Sequence, residues 1–237
     1  MGRGDIEYLK PINPSDFDPK LKIVKGSLDY CLYDIALSYG LDIHALQEYA
    51  ELDEYGGFNE GYPKGSITRS EGQAIFALIR ILGMKTVLEI GTLYGCSTNH
   101  LASAVKPSGK VLSIDNRADL PKIGSLINPE LKSYITLIDG DLFVELPKIK
   151  ENSIDLIFED SAHLEETTRF CLEQARRILI PGGWIILHDT LCSTHVKKIR
   201  CRDRMLSGIA QAGMSEDFRH YVIDDSTYGI SFCRVNK

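Results

Sequence analysis

Val87-Leu88-Glu89-Ile90-Gly91-Thr92-Leu93-Tyr94-Gly95 is the stretch that decides the fold. From Thr86 to Ile90 its β-branched and apolar residues predict a buried strand, and Gly91 and Gly95 predict a tight loop directly after it. Upstream, Thr68-Arg69-Ser70-Glu71 has the form of a capping box, and Ile75, Leu78 and Leu82 recur at helical spacing until Gly83 ends the run. A helix therefore leads straight into this strand. Downstream, further strands are predicted at Lys110–Asp115, Tyr134–Ile138, Ile154–Glu159 and Trp184–His188, with a helix over Glu165–Leu179 stopped by Pro181-Gly182-Gly183. This alternation is that of an α/β protein with a mostly parallel, doubly wound sheet. At the end of the chain, Arg219–Ile223 and Gly229–Arg234 are separated by a link too short for a parallel crossover, so they form a hairpin. The expected sheet has seven strands, the C-terminal one antiparallel.

Outside residues 66–237, expected as the main domain, the character changes. Pro11, Pro14, Pro19 and the Tyr55-Gly56-Gly57-Phe58 stretch break up residues 1–65, leaving helices at Ser27–Tyr39 and Ile43–Leu52, and this part is expected to cap the C-terminal edge of the sheet. The chain has 237 residues, enough for one substantial core. Its apolar share of 43% and charged share of 25% argue against disorder. No apolar run approaches the ~20 residues of a membrane span, so a cytoplasmic protein is expected. Six cysteines without a Cys-x-x-Cys pair give neither a zinc knuckle nor a disulfide framework. A net charge of −6 disfavours nucleic acid and anionic lipid as partners.

An open parallel sheet binds ligands beyond the carboxyl ends of its strands, which puts the Gly91–Gly95 loop at the working edge. Dinucleotide binding needs Gly-x-Gly-x-x-Gly, but counted from Gly91 the second and third positions are Leu93 and Cys96. A nicotinamide cofactor is thereby disfavoured. Asp115, twenty residues past Gly95, ends the second main strand where a carboxylate accepts both hydroxyls of a ribose. Glu89 adds negative charge that repels phosphate and suits a ligand carrying an amino group and a sulfonium. Asp139-Gly140-Asp141 brings an acid and a pliant backbone towards an adenine edge.

In these residues the chain resembles the class I S-adenosylmethionine-dependent methyltransferases, whose fold is Rossmann-like. Val87-Leu88-Glu89-Ile90-Gly91-Thr92 with Gly95 and Ser97 is similar to the catechol O-methyltransferase-like branch in particular. The resemblance implies S-adenosyl-L-methionine as cofactor, bound by Glu89, Gly91, Thr92, Tyr94, Gly95 and Ser97 of the loop. It further implies Asp115 and Asn116, then Gly140 and Asp141, and finally Asp160, on the following strand ends.

The strand Ile154–Glu159 continues Asp160-Ser161-Ala162-His163, and the next ends His188-Asp189-Thr190. Neighbouring parallel strands lie about 4.8 Å apart, so Asp160 and Asp189 are placed to share one divalent cation. Such a cation lowers the pKa of a hydroxyl and holds its oxygen in line with a methyl donor. His163, three residues past Asp160, is the candidate general base, because imidazole titrates near neutral pH. The arrangement resembles metal-dependent sugar and macrolide O-methyltransferases, in which Asp-x-x-His supplies metal ligand and base and an acidic pair on the next strand completes the site. This chain has His188-Asp189 in place of two acids, so the expected metal ligands are Asp160, His188 and Asp189, holding magnesium or manganese. The Asp-Ala-Asp-Lys run of many catechol-type enzymes is absent.

The expected activity is methyl transfer to a hydroxyl of a small molecule such as a sugar, macrolide or phenol, by a chain that is free to form a homo-oligomer. The alternatives are an RNA-modifying methyltransferase and a catalytically silent cofactor-binding or scaffold protein. Lys197–Arg204 is read as a solvated basic helix face, and Tyr55, Phe58 and Tyr62 as aromatics that line an acceptor pocket or pin a loop.

Overall fold

The structure, a computed structural model, describes residues 21–57, 60–116, 123–192, 195–196, 199–223 and 228–235. Its sheet runs, in spatial order, β4 (Ile135–Asp139), β3 (Lys110–Asp115), β2 (Thr86–Ile90), β5 (Ile154–Glu159), β6 (Leu179–His188), β10 (Ile230–Arg234), β9 (Arg219–Ile223) and β1 (Ile23–Gly26). Strand β10 is antiparallel to both its neighbours, and the other pairings are parallel. A separate two-stranded ribbon joins β7 (His195–Val196) to β8 (Ile199–Arg200). The doubly wound architecture with its reversed C-terminal strand is as the sequence predicts. The strand number is corrected from seven to eight, because Ile23–Gly26 adds along β9 as a parallel edge strand.

The period of two along each strand divides the core. Val87, Leu156 and Ile186 face one side, where α1 (Leu28–Tyr39), α2 (Ile43–Glu51), α3 (Arg69–Ile81) and α4 (Cys96–Val105) pack. Leu88, Ile157 and Ile185 face the other, against α6 (Glu165–Ile178) and α7 (Cys201–Gln211). A four-residue helix, α5 (Leu142–Glu145), follows β4. The N-terminal helices thus share the core of the sheet. Arg219 on β9 holds Asp34 of α1 with two hydrogen bonds from one nitrogen, at 2.8 and 2.9 Å, and a third from its Nε at 3.1 Å.

Strand β6 begins at Leu179, five residues before the predicted start. Pro181-Gly182-Gly183 does not end the helix by breaking the chain; the strand runs through it with an irregularity in its pairing to β5. Of the predicted features, Phe58, Lys197, Lys198 and the hairpin link 224–227 lie outside the described residues. Among the described residues no helix is long and apolar enough to cross a membrane.

Candidate active site

The loop after β2 is held from within. Gly91 has φ of 100°, and a Cβ there would lie 2.0 Å from the carbonyl oxygen of Asp160; Gly95 has φ of 94°, and its Cβ would lie 2.4 Å from Ile127. Both positions need glycine for conformation and for space. Leu93 donates its N–H to the Asp115 carboxylate at 2.7 Å, and Thr92 shares a hydrogen bond of 2.6 Å with Ser113. The half-buried Tyr94 accepts at its carbonyl from Leu126 N–H at 2.9 Å.

Glu89 lies beneath this loop rather than on it. Its carboxylate is fully buried and accepts from Ser97 at 2.5 Å, from Thr98 at 2.6 Å and from Ser113. Burial pushes its pKa up to about 7 against those three hydroxyls. Glu89 therefore reaches the loop's surroundings through the hydroxyls of α4 and β3, among them that of Ser97, one of the expected cofactor residues. Thr98 and Ser113 were not singled out from sequence, where an isolated hydroxyl carries no signal.

The register pairs Ile90 with Ile114 and Glu159, and Asp115 with Asp139, so the predicted cofactor residues fall along one edge. Gly140 N–H donates to the Asp115 carbonyl at 3.0 Å, and Asn116 donates to the Asp141 carboxylate at 3.0 Å. Asp141 also caps α5 through Phe143 N–H at 2.8 Å. The carboxylate of Asp115 and the exposed Asn116–Asp141 pair are polar groups of the kind a nucleoside needs.

The second group gathers at the tips of β5 and β6. One ligand atom each from Asp160, His163 and Asp189 lies within 4.8 Å of the others. His163 Nε2 is 3.4 Å from Asp189 Oδ2 and 3.7 Å from Asp160 Oδ1. Both His163, with φ of 50°, and Asp189, with φ of 57°, are in the left-handed region that costs an ordinary residue roughly 1–2 kcal/mol. His163 Nδ1 and Asp189 Oδ1 are buried without a hydrogen-bond partner. Left-handed non-glycine residues and buried polar atoms without a hydrogen-bond partner are features that cluster at functional sites.

His188, expected among the metal ligands, lies between carboxylates: its Nδ1 is 3.1 Å from Asp160 Oδ1 and its Nε2 is 3.2 Å from Glu71 Oε2. Burial opposes charge on this ring, but Asp160, Asp189 and Glu71 together hold it charged well above the usual imidazole range. Burial would likewise raise Asp160, yet the adjacent His188 and His163 keep it below the usual carboxylate range. Asp189 is raised by burial against the pull of the same two histidines. The three carboxylates Asp160, Asp189 and Glu71 converge on one charged ring. The set Asp160, His163 and Asp189, two carboxylates and an imidazole within reach of one another, is a donor set of the kind a divalent cation takes.

The segment before α3 reaches over this edge. His100 of α4 pairs with Asp53, both fully buried, and its Nε2 is 3.2 Å from the Gly56 carbonyl. Tyr62 accepts from Asn99 at 3.3 Å and Tyr55 from Asn128 at 3.5 Å, so these aromatics pin the loop to α4 and its neighbours. Arg202, in the basic run, lies 3.2 Å from Asp203.

Comparison with known proteins agrees with this geometry. A family model described as a methyltransferase domain matches residues 88–190, which run from the glycine loop through both strand tips. A protein of Mycobacterium sp. strain JLS named as an O-methyltransferase is 28% identical over 160 residues, which is 65% of this chain and 72% of the relative. The O-methyltransferase of Bacillus cereus, solved in complex with SAH, superposes with a TM-score of 0.60 at 19% identity, over 86% of this chain and 97% of that one. The O-methyltransferase TomG of Streptomyces achromogenes, involved in tomaymycin synthesis and solved with SAM, gives 0.59 at 18% identity, over 86% and 96%. Those two likenesses speak for the fold, and the domain match and the mycobacterial relative show residues 88–190 to be similar to a methyltransferase domain and the chain to be similar to proteins named as O-methyltransferases.

Proposed function

We propose that the protein transfers a methyl group from S-adenosyl-L-methionine to a hydroxyl of a small molecule, with His163 taking the hydroxyl proton. The observation that carries this reading is the convergence of Asp160, His163 and Asp189 one strand away from Gly91, whose α-carbon packs against the Asp160 backbone. S-adenosyl-L-methionine supplies an electrophilic methyl group on sulfur. Around it, the Asp115 carboxylate would bind the ribose hydroxyls, Asn116, Gly140 and Asp141 would meet the adenine, and Thr92, Tyr94 and Ser97 would shape the loop against the amino-acid end.

Asp160 and Asp189 would hold a divalent cation, which lowers the pKa of a coordinated hydroxyl. A ring nitrogen bound to a cation has no lone pair for a proton, so His163 Nε2 serves one role at a time, and the reading assigns it the proton. His163 is seated for this at the mouth of the cluster, with its side chain 20% exposed, against 8% for His188. The net charge of −6 supports a small-molecule acceptor over nucleic acid, and we take the protein to be cytoplasmic.

The test is conversion of S-adenosylmethionine to S-adenosylhomocysteine with a panel of phenolic, sugar and macrolide alcohols, with and without magnesium, manganese and a chelator. Turnover with one hydroxyl class, reduced by chelation and abolished in His163→Ala, is the expected result. Equal turnover by wild type and His163→Ala removes His163 from the reaction.

A further inference from the structure

Glu71 stands on the first turn of α3, where the sequence assigns it to a capping box with Thr68. The structure shows that box, with Thr68 N–H and hydroxyl each donating to Glu71 Oε2 at 3.0 Å. The same oxygen also meets His188 Nε2 at 3.2 Å, across 117 residues of sequence, at the end of β6. A helix cap needs no such partner, and a carboxylate that is 1% exposed is costly to bury.

We propose that Glu71 is a positioning residue of the methyl-transfer site, holding the His188 ring so that Nδ1 faces Asp160. This rests on the reading of Asp160, His163 and Asp189 as the reacting cluster. An imidazole has a broad, roughly two-fold torsion about its Cβ–Cγ bond. Turned over, the ring would present a C–H where Nδ1 now lies 3.1 Å from Asp160 Oδ1 and 3.3 Å from Asp189 Oδ1. Glu71 prevents that turn, because Nε2 has its partner in only one of the two orientations. The anchor is itself rigid, since Thr68 fixes the carboxylate from two sides. Glu71 thereby sets the direction of both site carboxylates without touching a substrate, in the way that outer partners orient ligands around a cation.

The experiment uses 15N-histidine-labelled, metal-free protein and follows the His188 Nδ1–H proton by NMR, then titrates Mn2+ and S-adenosylhomocysteine by calorimetry. Glu71→Asp keeps an acid at the helix start but draws it away from His188. It should lose the shifted Nδ1–H signal and weaken Mn2+ about tenfold, with S-adenosylhomocysteine affinity within about twofold of wild type. Glu71→Gln retains an oxygen for His188 and should restore the signal. Thr68→Ala, which removes the hydroxyl and leaves the backbone N–H of residue 68 on Glu71 Oε2, should lower Tm and leave the signal in place. An unchanged Nδ1–H signal in a folded Glu71→Asp overturns the proposal. Absence of Mn2+ binding in wild type would strike the cation reading alone, because the NMR signal decides the role of Glu71 without metal.

Discussion

The loop after β2 and the tips of β5 and β6 lie side by side and are built by opposite rules. In the loop, two of the three left-handed positions are glycines, and the buried acid, Glu89, has three hydroxyl partners. At the tips, the left-handed residues are His163 and Asp189, and His163 Nδ1 and Glu159 Oε2 are buried without a hydrogen-bond partner. The loop is a satisfied structure, whereas the tips carry the strain and the missing hydrogen bonds that motivate the proposed catalytic role. Damage to the loop should therefore cost folding and cofactor binding together, and damage to the tips should cost turnover alone.

The largest expected effect is at the tips. His163→Ala should lower kcat about 10²–10⁴-fold, the usual loss for a missing general base, with S-adenosylhomocysteine affinity unchanged by calorimetry. Next comes the loop: Gly91→Ala forces a Cβ onto the Asp160 carbonyl in a left-handed conformation. It should cost at least about 3 kcal/mol in urea denaturation; a loss below 1 kcal/mol would show that the loop yields. Third is Glu89, with a pKa of about 7 in the fold against an ordinary value of 4.5. Below the ordinary value both states hold the proton, and between the two values only the folded state does. This group's contribution to stability is thus full at low pH and lost as pH rises through about 7. Denaturation at a series of pH values should show that fall in wild type and a flatter profile in Glu89→Gln. The smallest effect has the opposite sign. Asp189→Asn keeps a residue type that tolerates positive φ and removes a buried carboxylate, so it should raise stability by about 1 kcal/mol while turnover fails. Loss of stability there would place Asp189 with the satisfied loop.

What could be read from the chain follows the same division. Strands β2, β3, β5 and β9 begin and end where the sequence places them, because β-branched runs are bounded there by turn residues. Strand β1 escaped, since four residues, Ile23-Val24-Lys25-Gly26, become a strand only through β9, nearly 200 residues later. The start of β6 escaped because Pro181-Gly182-Gly183 carries the signal of a break. At the site, strand-end position brought Asp160, His163 and Asp189 together from sequence, but position does not say where a ring points. That the two nitrogens of His188 turn to Asp160 and Glu71 is not legible in the sequence, where Glu71 carries only a capping signal.

The proposed cofactor site is tested most directly by calorimetric titration of S-adenosylhomocysteine into wild type, Asp115→Ala and His163→Ala. The expected result is saturable binding to wild type and to His163→Ala with equal affinity, and a loss of at least tenfold, about 1.4 kcal/mol, in Asp115→Ala. Binding that is absent in wild type, or indifferent to Asp115, would contradict it.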